Sequence, residues 1–301
     1  MKVSVIMPVE RLGGEAERAI ESVLAQRTTF PFEIIVVSAA PVSKAGVRNV
    51  VETNRNPATR RNRAVSEVAG EILAFIDDDA TADPAWLQTA CDYLDRFPEV
   101  MCLGGPDPAP ADSTAAELVS ETLLSTPLIG SGIAAHENRP GIFPIARTSD
   151  IALVNLFVRR LAFDGFDEGV GYIGEDTALI AGLMRRGRVI YHSGVKVYHR
   201  RRGFPEAYLS QRWRYRVKTG KSGINDERIW VFLAAGTITI LMPALWPLYY
   251  IVTVILGAMH TRLPITWWPL LPLAFAAHHL TYYFGILWGL ATRFVKQPVR
   301  S

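Results

Sequence analysis

Three consecutive carboxylates, Asp77, Asp78 and Asp79, close an apolar run from Ile72 to Ile76. An ionised group inside a strand loses its hydration, so the run predicts a strand that ends where the carboxylates begin. In an open α/β sheet, ligands gather outside the carboxyl ends of the strands. Hard divalent cations take oxygen donors, and Mg2+ typically combines one or two carboxylates with substrate phosphates. The triad reads as a metal–diphosphate site, or as a solvated acidic turn capping a helix that starts near Pro84.

A second acidic signal, Gly174-Glu175-Asp176, opens a segment whose Leu179, Ile180, Leu183 and Met184 share one helical face. Acids at a helix start are favoured by the macrodipole, which is a sufficient structural reason for them. The approach to them, Gly165-Phe166-Asp167-Glu168 and then Gly169 to Gly174, is glycine-rich and suits a loop that closes on a substrate.

The elements that must position these acids alternate. Val3–Met7, Ile34–Val37, Ile72–Ile76 and Val100–Leu103 are strand-like runs. Glu15–Ala25 and Ala64–Ala69 are helix-like, and Trp86, Leu87, Ala90, Leu94 and Phe97 mark a further helix. Such β-α-β alternation predicts an α/β fold with a mostly parallel sheet covered on both faces. Residues 105–113, Gly-Pro-Asp-Pro-Ala-Pro-Ala-Asp-Ser, predict a flexible connection across a site.

With 301 residues there is room for one large domain or two smaller ones, and a net charge of +3 is too small to argue for nucleic acid. The charge is unevenly spread: twelve lysines and arginines fall between Arg185 and Lys221 against one acid, Glu206. Cys91 and Cys102 lack metal-ligand spacing and read as core residues in a reducing compartment. Met1-Lys2-Val3 runs into strand-like sequence without the apolar core of a signal peptide.

Two stretches, Ile229–Thr261 and Leu263–Thr292, carry no Asp, Glu, Lys or Arg and are separated by Arg262. Each exceeds the ~20 residues that cross a bilayer core. They read as a membrane hairpin, or as buried core helices or re-entrant segments, with kinks or short broken helices expected from Pro243, Pro247, Pro264, Pro269 and Pro272. The basic block before them, with Arg293, Lys296 and Arg300 after them, places both ends in the cytoplasm by the positive-inside rule. His278-His279 inside the second stretch marks function or a helix contact.

The ordered set Val5-Ile6-Met7-Pro8-Val9, Arg61-Asn62, Gly70-Glu71-Ile72-Leu73-Ala74-Phe75-Ile76-Asp77-Asp78-Asp79, Gly165-Phe166-Asp167, Gly174-Glu175-Asp176 and Val197-Tyr198-His199 resembles a family-2 glycosyltransferase with the GT-A fold. Within that family it resembles the membrane-anchored bacterial or archaeal type with a C-terminal transmembrane hairpin. The resemblance covers roughly residues 1–220.

It implies roles. Asp77 and Asp79 would hold the ribose and a Mg2+ or Mn2+ ion that offsets charge on the leaving diphosphate. Asp78 would join the nucleotide-sugar site with Pro8, Val9 and Arg61. Asp176 would be the general base for the acceptor hydroxyl, with Glu175 orienting acceptor or base. His199 would add a metal ligand, or is a surface histidine beside Arg200-Arg201-Arg202. Asn155 resembles a polar position near the acceptor, or is a strand-edge asparagine. Gln211-Arg212-Trp213-Arg214 resembles an acceptor and phosphate motif of membrane-embedded relatives, or is a polybasic helix that attracts anionic lipid. One base and one leaving group on opposite faces imply a single displacement with inversion.

The sequence departs from that pattern twice. Ser38-Ala39-Ala40 follows the second strand where relatives carry base-reading aspartates, and Glu10-Arg11 replaces Tyr-Asn after the first. Glu10 or Ser38 is then the candidate for reading the nucleobase. The expected organisation is a GT-A domain at 1–203, an interfacial basic helix at 204–226 and a transmembrane hairpin at 227–301. The expected activity moves a sugar from a nucleotide-diphosphate sugar, UDP first among nucleotides, to a lipid-linked or glycan acceptor at the inner (plasma) membrane. Membrane lipids are the expected surroundings, and homo-oligomerisation is left open. The rivals are a processive polysaccharide synthase and a catalytically silent subunit that keeps the fold.

Overall fold

The computed structural model describes residues 1–127, 129, 135–136, 138–170, 174–222, 228–241 and 243–293. The strands are β1 (Val3–Pro8), β2 (Phe32–Ser38), β3 (Arg48–Val51), β4 (Ile72–Phe75), β5 (Ala80–Ala82), β6 (Val100–Gly104), β7 (Ile142–Pro144), β8 (Leu156–Arg159), β9 (Arg188–His192) and β10 (Val197–His199). The helices are α1 (Gly14–Leu24), α2 (Pro57–Ser66), α3 (Trp86–Arg96), α4 (Ala115–Ser125), α5 (Glu175–Arg186), α6 (Glu206–Ser222), α7 (Arg228–Leu241), α8 (Trp246–His260) and α9 (Leu271–Thr292).

The chain divides into two compact units, Met1–Pro110 with Ile133–Arg200, and Ala111–Gly132 with Arg201–Ser301. The first unit differs from the expected 1–203 domain in two respects: Ala111–Gly132 groups with the C-terminal part, and the unit ends at Arg200.

The first unit is a mixed α/β structure around a mostly parallel eight-stranded sheet in the order β3-β2-β1-β4-β8-β6-β9-β7. β3, β2, β1 and β4 run parallel, as do β6 and β9, while β8 and β7 are antiparallel to their neighbours. β1 is apolar on both faces because both faces are covered. Its alternate residues divide between two cores. Val3, Val5 and Met7 pack with Ala16, Ile20 and Val23 of α1 and Trp86, Leu87 and Leu94 of α3. Ile6, with Leu73 and Phe75 of β4, packs with Ala58 and Ala64 of α2 and Leu179, Ile180 and Leu183 of α5. Cys91 and Cys102 are buried and unpaired, and burial pushes the Cys91 thiol up to about 12.

α2 begins well before the expected helical stretch Ala64–Ala69 and ends inside it, at Ser66. Its start is an Asn-Pro step. Asn56 accepts a hydrogen bond from the Ala58 amide at 3.0 Å, and Pro57 occupies the first helical position, where no amide is needed.

In the second unit, α4 contributes Val119, Leu123 and Leu124 to a core with Tyr208 of α6 and Leu271, Ala274 and Phe275 of α9. Glu121 of α4 accepts from Arg262 at 2.7 Å and Thr122 donates to Thr261 at 2.7 Å. α6 and α9 approach through glycines. A Cβ on Gly289 would lie 2.2 Å from the Val217 carbonyl oxygen, and one on Gly220 2.3 Å from that of Ile286. Among the described residues, one of the two expected membrane spans forms a single long apolar helix. Ile265–Thr292, 28 residues, is long and apolar enough to cross a bilayer, with 50% of its most apolar window buried. The first apolar stretch is instead divided into α7, 14 residues, and α8, 15 residues, separated by residues around Pro243 and Pro247. Proline lacks the amide that would carry one helix through. Of the expected C-terminal positive charges, Lys296 and Arg300 lie outside the described residues.

Candidate active site

β4 ends at Phe75, Ile76 still donates to the Ile6 carbonyl at 3.2 Å, and Ala80 turns back onto the Asp77 carbonyl at 3.2 Å. The three aspartates form that turn, at the carboxyl edge of the parallel strands. They line a cleft of about 260 Å³ with Pro8, Glu10, Arg55, Pro57, Arg60 and Arg61. Four carboxylates thus face three guanidinium groups.

Arg61 organises the cleft. It is 5% exposed; its Nη2 donates to Asp77 at 2.8 Å and its Nη1 to Glu175 at 3.3 Å. The two acidic motifs, far apart in sequence, therefore meet on one side chain. The guanidinium also lies 5.8 Å from the centre of the Phe166 ring. Its Nε is buried without a partner. Glu175, 8% exposed, has its pKa raised by burial, against the attraction of Arg61 and with repulsion from Asp176 and Asp77. Asp176 is half-buried in the first turn of α5 and accepts from its neighbour Thr177, from the amide at 2.7 Å and the hydroxyl at 3.3 Å. Gly174 before it has φ 93°, the left-handed region that favours glycine. Residues 171–173 of the expected glycine-rich loop lie outside the described residues.

Asp78 turns toward the β1 loop and accepts from the Glu10 amide at 3.2 Å. Burial first, then the charges of Asp79 and Asp77, push its carboxyl up to about 6 against that hydrogen bond. Glu10 in turn accepts from Arg60 Nη1 at 3.2 Å. Arg60 is 4% exposed, donates through Nε to the Asn54 carbonyl at 2.9 Å, and keeps a buried Nη2 without a partner. Arg55 and Arg60 were missed from sequence. Their signal was the Asn56-Pro57 helix start, which sets the Arg60-Arg61 doublet on the first turns of α2.

Two expected nucleotide contacts fall elsewhere. Val9 is fully buried and packs in the core behind β1. Ser38 is 3% exposed; its hydroxyl donates to the Ala40 carbonyl at 2.7 Å and accepts from Asn49 at 2.8 Å, so a short loop uses it up. Asn155 is also corrected. It has no exposed surface, accepts from the Trp86 indole at 2.8 Å, and donates to the Pro106 and Val195 carbonyls at 3.0 and 2.7 Å. Its oxygen and both amide hydrogens are thus engaged, and the residue pins loops rather than facing an acceptor.

The expected cation ligands are brought together in part. β10 pairs antiparallel with β5, His199 opposite Ala80, which sets His199 Nε2 3.2 Å from Asp79 Oδ1. Carboxylate oxygen and imidazole nitrogen suit a divalent cation. Asp77, however, is turned to Arg61, and among the described residues no three Asp, Glu, His or Cys side chains form a group that could hold a metal ion.

The Gln211–Arg214 segment lies on α6 of the second unit. Arg212 donates to Gln211 at 2.6 Å, with its guanidinium 5.6 Å from the Tyr208 ring centre and 4.8 Å from that of Tyr215. Trp213 and Arg214 are exposed.

Residues 4–148 match the family model described as glycosyl transferase family 2. Among curated proteins, a glucosyl-dolichyl phosphate glucuronosyltransferase of Haloferax volcanii is 32% identical over 120 residues. That match spans 35% of this chain and 38% of the relative, so the chain covers well under half of that protein's length. Among solved structures, the mannosyltransferase PcManGT of Pyrobaculum calidifontis, in complex with GDP-Man and Mn2+, is 18% identical over 97% of this chain and 87% of its own, with a TM-score of 0.53. S. aureus TarS, residues 1–349, is 14% identical over 95% of this chain and 90% of its own, with a TM-score of 0.49. Over residues 4–148 the chain is therefore similar to glycosyl transferase family 2, on a mixed α/β fold like that of GT-A neighbours.

Proposed function

We propose that this chain is an inverting glycosyltransferase that moves a sugar from a nucleotide-diphosphate sugar to a hydroxyl of a lipid-linked acceptor at a membrane. The observation that carries the reading is Arg61, which lines the cleft beside Asp77 of one acidic motif and also reaches Glu175 of the other. The acceptor oxygen attacks the anomeric carbon, the bond from that carbon to the diphosphate oxygen breaks, and the electron pair leaves with the nucleoside diphosphate. Asp176 takes the hydroxyl proton; its carboxylate is the more exposed of the α5 pair and has no cation beside it in the hydrogen bonds it makes. Glu175, whose ionisation burial opposes and which Arg61 holds, orients the acceptor side. Pro8, Glu10, Arg60, Arg61, Asp77 and Asp78 form the nucleotide side of the cleft.

Mg2+ or Mn2+, held by Asp79 and His199 with Asp77 nearby, would neutralise charge on the departing diphosphate. The acceptor reading is supported by the dolichyl phosphate in the name of the Haloferax relative, and by the apolar Ile265–Thr292 helix. Gln211, Arg212, Trp213 and Arg214 are the proposed contacts to a lipid phosphate, since guanidinium groups pair bidentately with phosphate.

The test is transfer from a panel of UDP- and GDP-sugars to a polyprenyl-phosphate-linked saccharide in vesicles, with Asp176→Asn alongside. Transfer by the wild type, a loss of ~10²-fold or more in the variant, and an inverted product anomer by NMR are expected. Undiminished transfer by the variant removes Asp176 as base; equal rates on a soluble acceptor remove the lipid-linked one.

A further inference from the structure

Behind the acidic turn lies a carboxylate that the reaction above does not use. Asp107 has no exposed surface, yet it sits between two imidazoles. Its Oδ1 is 2.7 Å from His136 Nδ1, and its Oδ2 is 3.4 Å from His199 Nδ1. The other ring nitrogen of His199 is the one that faces Asp79 at 3.2 Å. A buried carboxylate is tolerated where hydrogen bonds replace its hydration, and here each oxygen has an imidazole.

The loop that carries Asp107 is fixed from several sides, contrary to the flexible connection expected from its prolines. Val197 and His199 of β10 donate to the Pro106 and Pro108 carbonyls at 3.1 and 3.0 Å, and the Asp107 amide donates to the Ala135 carbonyl at 3.2 Å. Asn155 holds the Pro106 carbonyl from below. Gly105 meets the next turn so closely that a Cβ would stand 1.9 Å from the Val195 carbonyl oxygen. The same strand, β10, thus presents His199 to Asp79 on one side and to Asp107 on the other.

We propose that Asp107 is a positioning residue for His199: it accepts the Nδ1 proton, fixes the ring, and presents Nε2 beside Asp79 as the second ligand of a divalent cation. The inference rests on the reading of Asp79 and His199 as cation ligands given above. A carboxylate behind a ligating imidazole fixes its tautomer and raises its basicity, and loss of such a partner typically costs ~10–100-fold in metal affinity. Asparagine has one acceptor and one donor at the same two positions, so it cannot accept from both imidazoles at once.

The experiment uses the full chain in detergent. Mn2+ binding is read by electron paramagnetic resonance, and the His199 ring nitrogens by 15N NMR in the presence of Mg2+. In Asp107→Asn the Mn2+ dissociation constant should rise ~10–100-fold, and the His199 signals should leave the pattern of a protonated Nδ1 with a bare Nε2. In a His199→Ala background the same substitution should leave the residual Mn2+ affinity unchanged, which separates positioning from general unfolding. His136→Asn, which keeps the Asp107–His199 contact, should hold Mn2+ far better than Asp107→Asn does. Unchanged His199 signals in Asp107→Asn, or an equal loss in the His199→Ala background, overturn the positioning role. No Mn2+ uptake by the wild type overturns the cation reading itself, and the ring signals still report whether Asp107 sets the tautomer.

Discussion

Arg61 Nη2 stands 2.8 Å from Asp77 Oδ1, while the same guanidinium reaches Glu175 with its other terminal nitrogen. Removing one member of a buried pair leaves the others with uncompensated charge, which typically costs more than the pair contributed. Arg61→Ala should therefore destabilise the fold by roughly 2–4 kcal/mol, the lower part of that range reflecting the partial solvation of Asp77. Arg61→Lys keeps the charge but has no fork to span two carboxylates, so it should fall between the wild type and alanine. Urea unfolding checks both; an alanine variant as stable as the wild type would remove Arg61 as the link between the motifs.

The Asp78 carboxyl, pushed up from 3.8 to about 6, makes the fold sensitive to pH. A group whose folded pKa lies above its unfolded value adds stability at low pH and loses it as pH rises through the folded pKa. Asp78 should therefore contribute fully below about pH 4 and lose that contribution across roughly pH 4–6. Asp78→Asn removes the ionisation while its side-chain oxygen still accepts from the Glu10 amide. Its stability at pH 7 should equal or exceed that of the wild type by roughly 1–3 kcal/mol, with a flatter profile between pH 4 and 6. A less stable variant at pH 7, with an unchanged slope, would contradict this.

Glu175 and Asp176 are adjacent but differently placed, and their amides should separate their roles. Glu175→Gln keeps an oxygen for Arg61 and removes a carboxylate whose ionisation burial opposes. It should retain or gain stability and lose only about 10-fold in kcat, as an orienting group would. Asp176→Asn should bind nucleotide unchanged in a thermal-shift assay while kcat falls ~10²–10⁴-fold. A larger loss for Glu175→Gln than for Asp176→Asn would exchange the two roles.

The sheet was legible because β1, β2, β4 and β6 are largely apolar runs that end in proline, serine, aspartate or glycine, and burial on both faces writes that pattern directly. The Asp77–Asp79 turn was legible for the same reason: charge marks the strand end. The start of α2 was not, because two arginines occupy its buried face and break the apolar periodicity; only the Asn56-Pro57 step announced it. Ser38 and Asn155 were misplaced because a polar residue at a strand edge reads alike whether it faces a ligand or a carbonyl. The prolines around Asp107 suggested freedom, whereas the backbone bonds that hold the loop come from β10, much further along the chain. The division of the first apolar stretch was legible in Pro243 and Pro247, which announce broken helices, whereas the bounds of the two pieces were not.

The glycines between α6 and α9 set a test whose sign is decided by a distance. Glycine inside a helix normally costs about 0.5–1 kcal/mol relative to alanine, so Gly→Ala stabilises an open site. Gly182 in α5 is such a site, where a Cβ would meet nothing nearer than the end of Arg185 at 3.9 Å. At Gly289 the same methyl would lie 2.2 Å from the Val217 carbonyl oxygen and 2.8 Å from the Gly220 Cα, both backbone atoms that cannot step aside without moving a helix. Overpacking of this kind costs roughly 1–3 kcal/mol, which outweighs the propensity gain. Gly289→Ala should therefore lower the midpoint of thermal unfolding followed by tryptophan fluorescence, a signal that six of the seven tryptophans, Trp213 to Trp288, report from the second unit. Gly182→Ala should leave that midpoint unchanged and raise the one followed through Trp86 in the first unit. A stabilising Gly289→Ala would mean that α6 and α9 do not pack through these glycines.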